Sequence, residues 1–427
     1  MRIAAISDIA EATGFGRVMR QLALRWIEAG ADMRIVGINW RGAAVEIASL
    51  IEKRRDADEI RAAYQILLDD PVIQRTVPAA VRSGDPMGND MTAPLVDGEL
   101  TPGWKPDVLL IVADPRAMLE RLLTDRGACS RVRTFNYVPI EGGNLTPAWR
   151  NMWSIVSPVA MSDFGARELG ALLGRNDVPV IRHGISDTFY RVTPERPGLT
   201  ADGTEITSRD EAKRLLGWEG RTVILRTDRH VPRKAYPAFV DAIRPIIAAH
   251  PEVLVVIHCA PLDEGGVLPE LLAGLPGAYN PSGSLLGWKH SQVLLTSAHD
   301  TFRGFTDRQL NLLYNAADVY VSPTQAEGFG LTLAEAAACG VPVITTDFAA
   351  GPEAIGPGGA LVPPAAIVGT SHSHRWAIPD VPAFSAAIEA LIGDPAERAR
   401  LGALGEAHAR QFDWDSAALQ FLRLFES

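Results

Sequence analysis

Short apolar runs alternate with stretches of helical periodicity, and they do so twice along this 427-residue chain. Arg2–Ser7 reads as a strand, Gly14-Phe15-Gly16 as a glycine turn, and VMRQLALRWIEAG as a helix closed by Gly30. Met33–Ile38, Asp107–Val112, Arg133–Val138 and Ile155–Met161 read as further strands. A polar stretch, Arg191–Ser208, reads as a linker. The rhythm then resumes with strand Thr222–Thr227, helix Ala235–Ala249, strand Glu252–Cys259 and helix Asp307–Ala317. Strand Val319–Ser322, helix Leu331–Cys339 and strand Val341–Thr345 follow, and RQFDWDSAALQFLRLFES reads as a last amphipathic helix. Such alternation predicts parallel sheets covered by helices on both faces, here two doubly wound α/β units.

Residues 43–105 break the rhythm. The charged stretch EKRRDADEIRAAYQILLDD predicts a helix, and SGDPMGNDMTAPLVDGELTPGWKPD is rich in turn formers. A long irregular insertion is either a functional loop or a solvated excursion, and both readings stand.

Composition narrows the classes. With 47% hydrophobic and 22% charged residues, each unit can bury a core. Lys+Arg 41 against Asp+Glu 51 gives a net charge of −10, which argues mildly against a nucleic-acid partner. Cys129, Cys259 and Cys339 are widely spaced and odd in number, as in a protein with reduced thiols. No apolar run approaches the length of a membrane span, and MRIAAISDI reaches Asp8 too early for a signal peptide. The expected location is the cytoplasm.

The most informative stretch is LNLLYNAADVYVSPTQAEGFGLTLAEAAACGVPVITTD, Leu310–Asp347. A buried strand ends at Ser322, a loop places Gly328 and Gly330 around Phe329, and a helix starts near Leu331. Glycines allow close backbone approach, and a helix N-terminus offers unpaired N–H groups and partial positive charge. Together they suit an anion at the carboxyl edge of a parallel sheet. Glu327 and Glu335 bracket this site. Glu335 falls in an otherwise apolar helix, so either a polar ligand such as a ribose diol hydrogen-bonds it, or it lies on a solvated face while Glu327 only caps. A second constellation, RTDRHVPRK (Arg226–Lys234), follows the strand Thr222–Thr227; cations there suit a diphosphate, although basic clusters after strands are usually solvated.

The Leu310–Asp347 stretch resembles the C-terminal signature of family 4 retaining glycosyltransferases of the GT-B fold. The resemblance rests on the LNLLYNAADVYVSP lead-in, the Glu327/Glu335 pair eight residues apart, the EGFG loop and the CGVPVI tail. It implies two Rossmann-like domains facing across a cleft: an acceptor-side domain over 1–190, a nucleotide-sugar domain over 191–408, and a C-terminal helix over 409–427 packing back on the first. Glu335 would hold the donor ribose, Glu327 the sugar hydroxyls, and the amides of Gly328, Phe329, Gly330 and Leu331 the diphosphate. Arg229 and Lys234 match the family's cation spacing and would neutralise the leaving diphosphate. Gly14 and Gly16 would close over the phosphates, and Gly304 and Phe305 would hold the base. NYVPIEGGNLTPAW resembles the element that carries a histidine in many relatives; here Glu141 is the nearest polar group, able to contact sugar or acceptor or to cap a turn. Ser162 and Thr306 read as helix caps, and His183 replaces a commoner Asn in the IRHGISDTF segment.

The family generally needs no metal and no cofactor beyond its UDP- or GDP-sugar donor. Asp56-Ala57-Asp58 and Asp413-Trp414-Asp415 are accidental D-x-D matches, and His372 and His374 read as a loop pair rather than a zinc site. The expected reaction moves a sugar to an acceptor hydroxyl on a glycan, a small molecule or another partner. The TGFGR turn and YVPIEG loop resemble phage and environmental-type relatives, which keeps a hydroxymethylpyrimidine DNA base among the alternatives. A GT-B epimerase or phosphorylase and a catalytically silent nucleotide-sugar-binding protein complete them.

Overall fold

The computed structural model of the protein describes residues 1–9, 14–38, 40, 69–82, 85–199, 203–277, 290–296, 305–371 and 374–427. They form two compact units. The first comprises Met1–Ile140, Leu145–His183 and Trp414–Ser427, and the second Glu141–Asn144 and Gly184–Asp413.

In the first unit, β1 (Arg2–Asp8), β2 (Asp32–Ile38), β3 (Thr76–Pro78), β4 (Val108–Val112), β5 (Arg133–Val138) and β6 (Ser157–Ala160) form one parallel sheet in the order β3-β2-β1-β4-β5-β6. Every residue of β4, VLLIV, is buried, as a strand covered on both faces requires. Ser162 caps the helix Asp163–Leu173 by accepting from the Gly165 amide. The helix Trp414–Glu426 packs on the helix Gly14–Glu28. Trp26 meets Phe421 and Phe425 edge-on, each at 5.6 Å, and donates its indole N–H to the Ala418 carbonyl. Asp415, from one of the two D-x-D matches, pairs with Arg25 of the same unit.

Two expectations are corrected here. Gly14-Phe15-Gly16 is the first turn of the helix Gly14–Glu28 rather than a turn ahead of it. The 43–105 segment is no irregular excursion where it is described: β3 extends the sheet, and Met91, Leu95, Val96 and Trp104 enter the main core. Its turn formers hide the apolar residues that carry this packing. The helix expected in EKRRDADEIRAAYQILLDD lies almost wholly outside the described residues, as does Asp56-Ala57-Asp58.

The second unit opens with β7 (Gly198–Leu199) and β8 (Glu205–Ile206), an antiparallel pair where a linker was expected. The sequence continues with β9 (Thr222–Arg226), β10 (Val253–Ile257), the small hairpin β11 (Leu262–Asp263) and β12 (Gly266–Val267), then β13 (Val293–Leu295), β14 (Val319–Ser322), β15 (Val343–Thr346) and β16 (Gly359–Val362). The parallel sheet runs β13-β10-β9-β14-β15-β16. This is the strand order of the first sheet repeated, the Rossmann order. A hairpin of β17 (Ala366–Gly369) and β18 (Arg375–Ile378) follows.

The strand order of this sheet reverses between β9 and β14, and the carboxyl edge at such a switch point is where folds of this kind bind ligands. The helix Leu331–Ala338 begins after β14 and is backed by the helix Pro395–Ala409. That backing is close: a Cβ on Gly402 would stand 2.3 Å from the Gly340 carbonyl oxygen. The three cysteines are buried, unpaired thiols. Among the described residues, no helix is long and apolar enough to cross a membrane.

Candidate functional site

Two loops meet at the switch point of the second sheet. The loop after β9 passes through a single 3-10 turn, Pro232–Lys234, and reverses at Ala235, whose φ of 48° is left-handed. The loop after β14 runs to Gly330, whose φ of +96° suits glycine and starts the helix Leu331–Ala338 without a side-chain cap. Backbone bonds join the loops: the Gln325 amide donates to the Arg233 carbonyl at 2.9 Å, and the Arg233 guanidinium donates to the Ala326 carbonyl.

This zipping brings buried charges together. Lys234 Nζ lies 2.5 Å from Glu327 Oε1 and 3.0 Å from Asp228 Oδ1. Arg233 reaches Glu327 Oε2 at 3.1 Å and Glu141 Oε1 at 2.7 Å. Asp228 is fully buried; it accepts from Thr332 Oγ1 at 3.0 Å and from the Ser322 hydroxyl, and lies 3.4 Å from Arg226 Nε. Arg226 is itself sandwiched beneath aromatic rings, its Cζ 3.7 Å from the Tyr236 centroid and 4.8 Å from that of Phe239.

Burial alone would raise the Asp228 carboxyl, but the charges of Lys234 and Arg226 and the hydroxyl of Ser322 hold it well below the usual range. Glu327 is likewise lowered against its burial by Lys234 and Arg233. Arg233 is raised, because Glu141 and Glu327 outweigh its desolvation. Asp228, Glu327 and Arg233 are therefore charged near neutral pH.

Glu335 is 1% exposed, which rules out the solvated face considered for it. It accepts from the Tyr314 hydroxyl at 3.0 Å, which in turn meets Thr227 Oγ1 at 2.8 Å. Burial raises the Tyr314 phenol well above its ordinary value, so it remains a neutral donor. Glu327, for which simple capping was the other reading, is an ion-pair partner instead.

The remaining sequence candidates are dispersed. Arg229 turns its guanidinium to Asp263 at 2.9 Å and Glu264 at 3.0 Å, and it is 55% exposed where Lys234 is 10%. The two cations expected to act as a pair thus occupy different surroundings, because Lys234 ends the inward 3-10 turn and Arg229 precedes it. Phe329 is buried with its ring edge-on to Phe412 at 5.1 Å, so its ring belongs to the core. Phe305 stacks on His258 at 4.3 Å, ahead of a helix capped by the Thr306/Gln309 box. Gly304 and His372 lie outside the described residues. Gly14 and Gly16 belong to the first unit. Glu141 is grouped with the second unit, where its carbonyl accepts from the Trp376 indole at 2.7 Å and Gly143 pairs with Arg375. His374 stands beside Trp376, their rings 5.9 Å apart. No group of three or more metal-ligating side chains occurs among the described residues.

Sequence reasoning missed Asp228, Ser322, Thr332 and Tyr314, and gave Arg233 no role. Asp228 carried one usable signal: an acid inside a basic run at the end of a buried strand.

Comparison with solved structures identifies the architecture. HepE of Anabaena, solved in complex with UDP-glucose, superposes with a TM-score of 0.66 at 17% identity, covering 100% of this chain and 99% of that one. Sucrose-phosphate synthase of Thermosynechococcus elongatus gives 0.65 at 17% identity over 100% and 98%. The two Rossmann-like sheets are those of the GT-B fold. Residues 221–394 match the family model for glycosyl transferases group 1, and the match contains every member of the charge cluster except Glu141.

Among curated proteins, D-inositol 3-phosphate glycosyltransferase of Streptomyces bingchenggensis is 33% identical over 237 residues, 54% of this chain and 47% of that protein. Phosphatidyl-myo-inositol mannosyltransferase of Mycobacterium tuberculosis is 28% identical over 269 residues, 60% of this chain and 62% of that protein. The matches to inositol 3-phosphate glycosyltransferases span about half the length of those relatives.

Proposed function

We propose that the protein transfers a sugar from a nucleoside-diphosphate sugar to an acceptor hydroxyl, with retention of configuration and without a metal ion. The observation that carries this reading is the Lys234–Glu327 contact beside the N-terminus of the helix Leu331–Ala338, at the reversal point of the second sheet. Lys234 and the amides from Gly328 to Leu331, in the loop and at the helix start, stabilise the diphosphate; Glu327, fixed by Lys234 and Arg233, orients the sugar; Glu335, held by Tyr314, takes the ribose. Arg229 joins the phosphates by leaving its partners Asp263 and Glu264, and Phe305 flanks the base. Glu141 orients the reacting groups through Arg233.

In the step itself the bond from the anomeric carbon to the β-phosphate oxygen breaks. The acceptor oxygen bonds to the same face of that carbon, and its proton passes to the departing phosphate. Positioning and charge stabilisation are what the chain supplies. The names of the similar curated proteins make inositol phosphates and inositol lipids the first acceptors to try, and the UDP-glucose complex of HepE makes UDP-glucose a first donor, with GDP-mannose beside it. The test is a donor panel against these acceptors, read by mass spectrometry with EDTA present. A product one hexose heavier than its acceptor supports the reading. Donor turnover with no acceptor consumed points instead to an epimerase, and binding without turnover to a silent binding protein.

A further inference from the structure

The nucleotide-sugar reading assigns Lys234 to the donor's diphosphate, yet Lys234 already contacts two protein carboxylates. Asp228 lies 3.0 Å and Glu327 2.5 Å from its Nζ. Asp228 does more than pair with the lysine. Its Oδ1 also accepts from Thr332, the second residue of the helix Leu331–Ala338, and its Oδ2 from Ser322 at the carboxyl end of β14. Its carboxylate therefore uses the same kinds of group that an incoming phosphate would use: a lysine ammonium and a hydroxyl in the first turn of a helix. Arg226 supports it from below at 3.4 Å. Glu327 has a second cation in Arg233, and Asp228 has one in Arg226, away from the helix terminus.

We propose that Asp228 is an internal anion that competes with the donor's diphosphate for Lys234 and Thr332, and so sets how weakly the site holds nucleotides. This rests on the nucleotide-sugar reading of the site. A phosphate that binds must draw Lys234 and Thr332 away from Asp228, leaving the carboxylate to Ser322 and Arg226. The energy spent on that exchange lowers affinity for donor and product alike, and it favours departure of the nucleoside diphosphate. A merely structural counter-ion predicts the reverse: removing it would loosen the loop and weaken binding.

The experiment is calorimetric titration of UDP and GDP into the wild-type chain, Asp228→Asn and Asp228→Gly. The first variant keeps the shape and removes the charge; the second removes the whole side chain, so no amide N–H faces Lys234. Both are expected to melt at lower temperature and yet bind the preferred nucleotide about tenfold or more tightly, since a unit charge a few ångströms from the phosphate is gone. Unchanged or weaker binding in folded variants overturns the proposal. So does loss of cooperative unfolding in both, because Asp228 would then be a counter-ion that no phosphate can displace. If the wild-type chain binds neither nucleotide, the nucleotide-sugar reading falls and the competitor role falls with it; if it binds and the variants gain nothing, the competitor role alone falls.

Discussion

Lys234 and Glu327 touch at 2.5 Å across 93 residues of sequence, and both are buried. Two charges taken out of water are costly, and their attraction compensates only when the remaining hydrogen-bonding positions are also filled. Here Asp228 takes a second side of the ammonium and Arg233 the second carboxylate oxygen. The contact holds the loop after β9 against the loop after β14, so the site is assembled before any ligand arrives.

Breaking this pair from the lysine side leaves two buried carboxylates facing each other. Lys234→Met is expected to cost about 3–5 kcal/mol of stability. Urea unfolding monitored by far-UV circular dichroism measures it, and a loss below about 1 kcal/mol contradicts a buried, mutually dependent pair.

On the nucleotide-sugar reading Glu335, held by Tyr314, binds the ribose. Glu335→Gln should weaken nucleoside diphosphate binding by about 1–3 kcal/mol, as for hydrogen bonds to a charged group. Inorganic pyrophosphate, which has no ribose, should bind the variant and the wild type alike. Equal weakening of both ligands would assign Glu335 to the fold instead.

His183 gives the first unit a pH dependence. It is buried against Trp414, with Nδ1 2.8 Å from the Tyr137 hydroxyl, and burial lowers its pKa from 6.5 to about 3. Between those values the unfolded chain binds a proton that the folded chain does not, so stability rises with pH across the window and is lost as pH falls below 6.5. The loss approaches about 1.4 kcal/mol per pH unit. His183→Asn should flatten unfolding free energy against pH in that range; an unaltered slope would assign the titration elsewhere.

The helix bearing Glu335 depends on its backing. Because a Cβ at Gly402 would stand 2.3 Å from the Gly340 carbonyl oxygen, Gly402→Val must push the helix Pro395–Ala409 outward. Overpacking of this kind costs about 1–3 kcal/mol. A thermal melt matching the wild type would show that the two helices separate without cost.

Local signals made much of this legible. Val319–Ser322 matched the observed strand end to end, because a short apolar run bounded by turn residues has few other solutions. Leu331 was found as the helix start because Gly330 marks it. What escaped depended on distant contacts. Ser322 and Thr332, which hold Asp228, are 94 and 104 residues away from it, and no periodicity connects them. Tyr314 is 21 residues from Glu335. β3, Thr76-Val77-Pro78, is three residues long and ends in proline; only its pairing with β2 at the sheet edge makes it a strand.

The central claim is donor-sugar transfer at the Lys234–Glu327 site with retention. The measurement that bears on it most directly is a proton NMR time course of the reaction in EDTA, with an α-linked nucleotide sugar and an inositol phosphate acceptor. The account predicts that an α-anomeric product signal appears as nucleoside diphosphate is released, and that Lys234→Ala abolishes it. A β-anomeric product, or α-product formed equally well by Lys234→Ala, would contradict it.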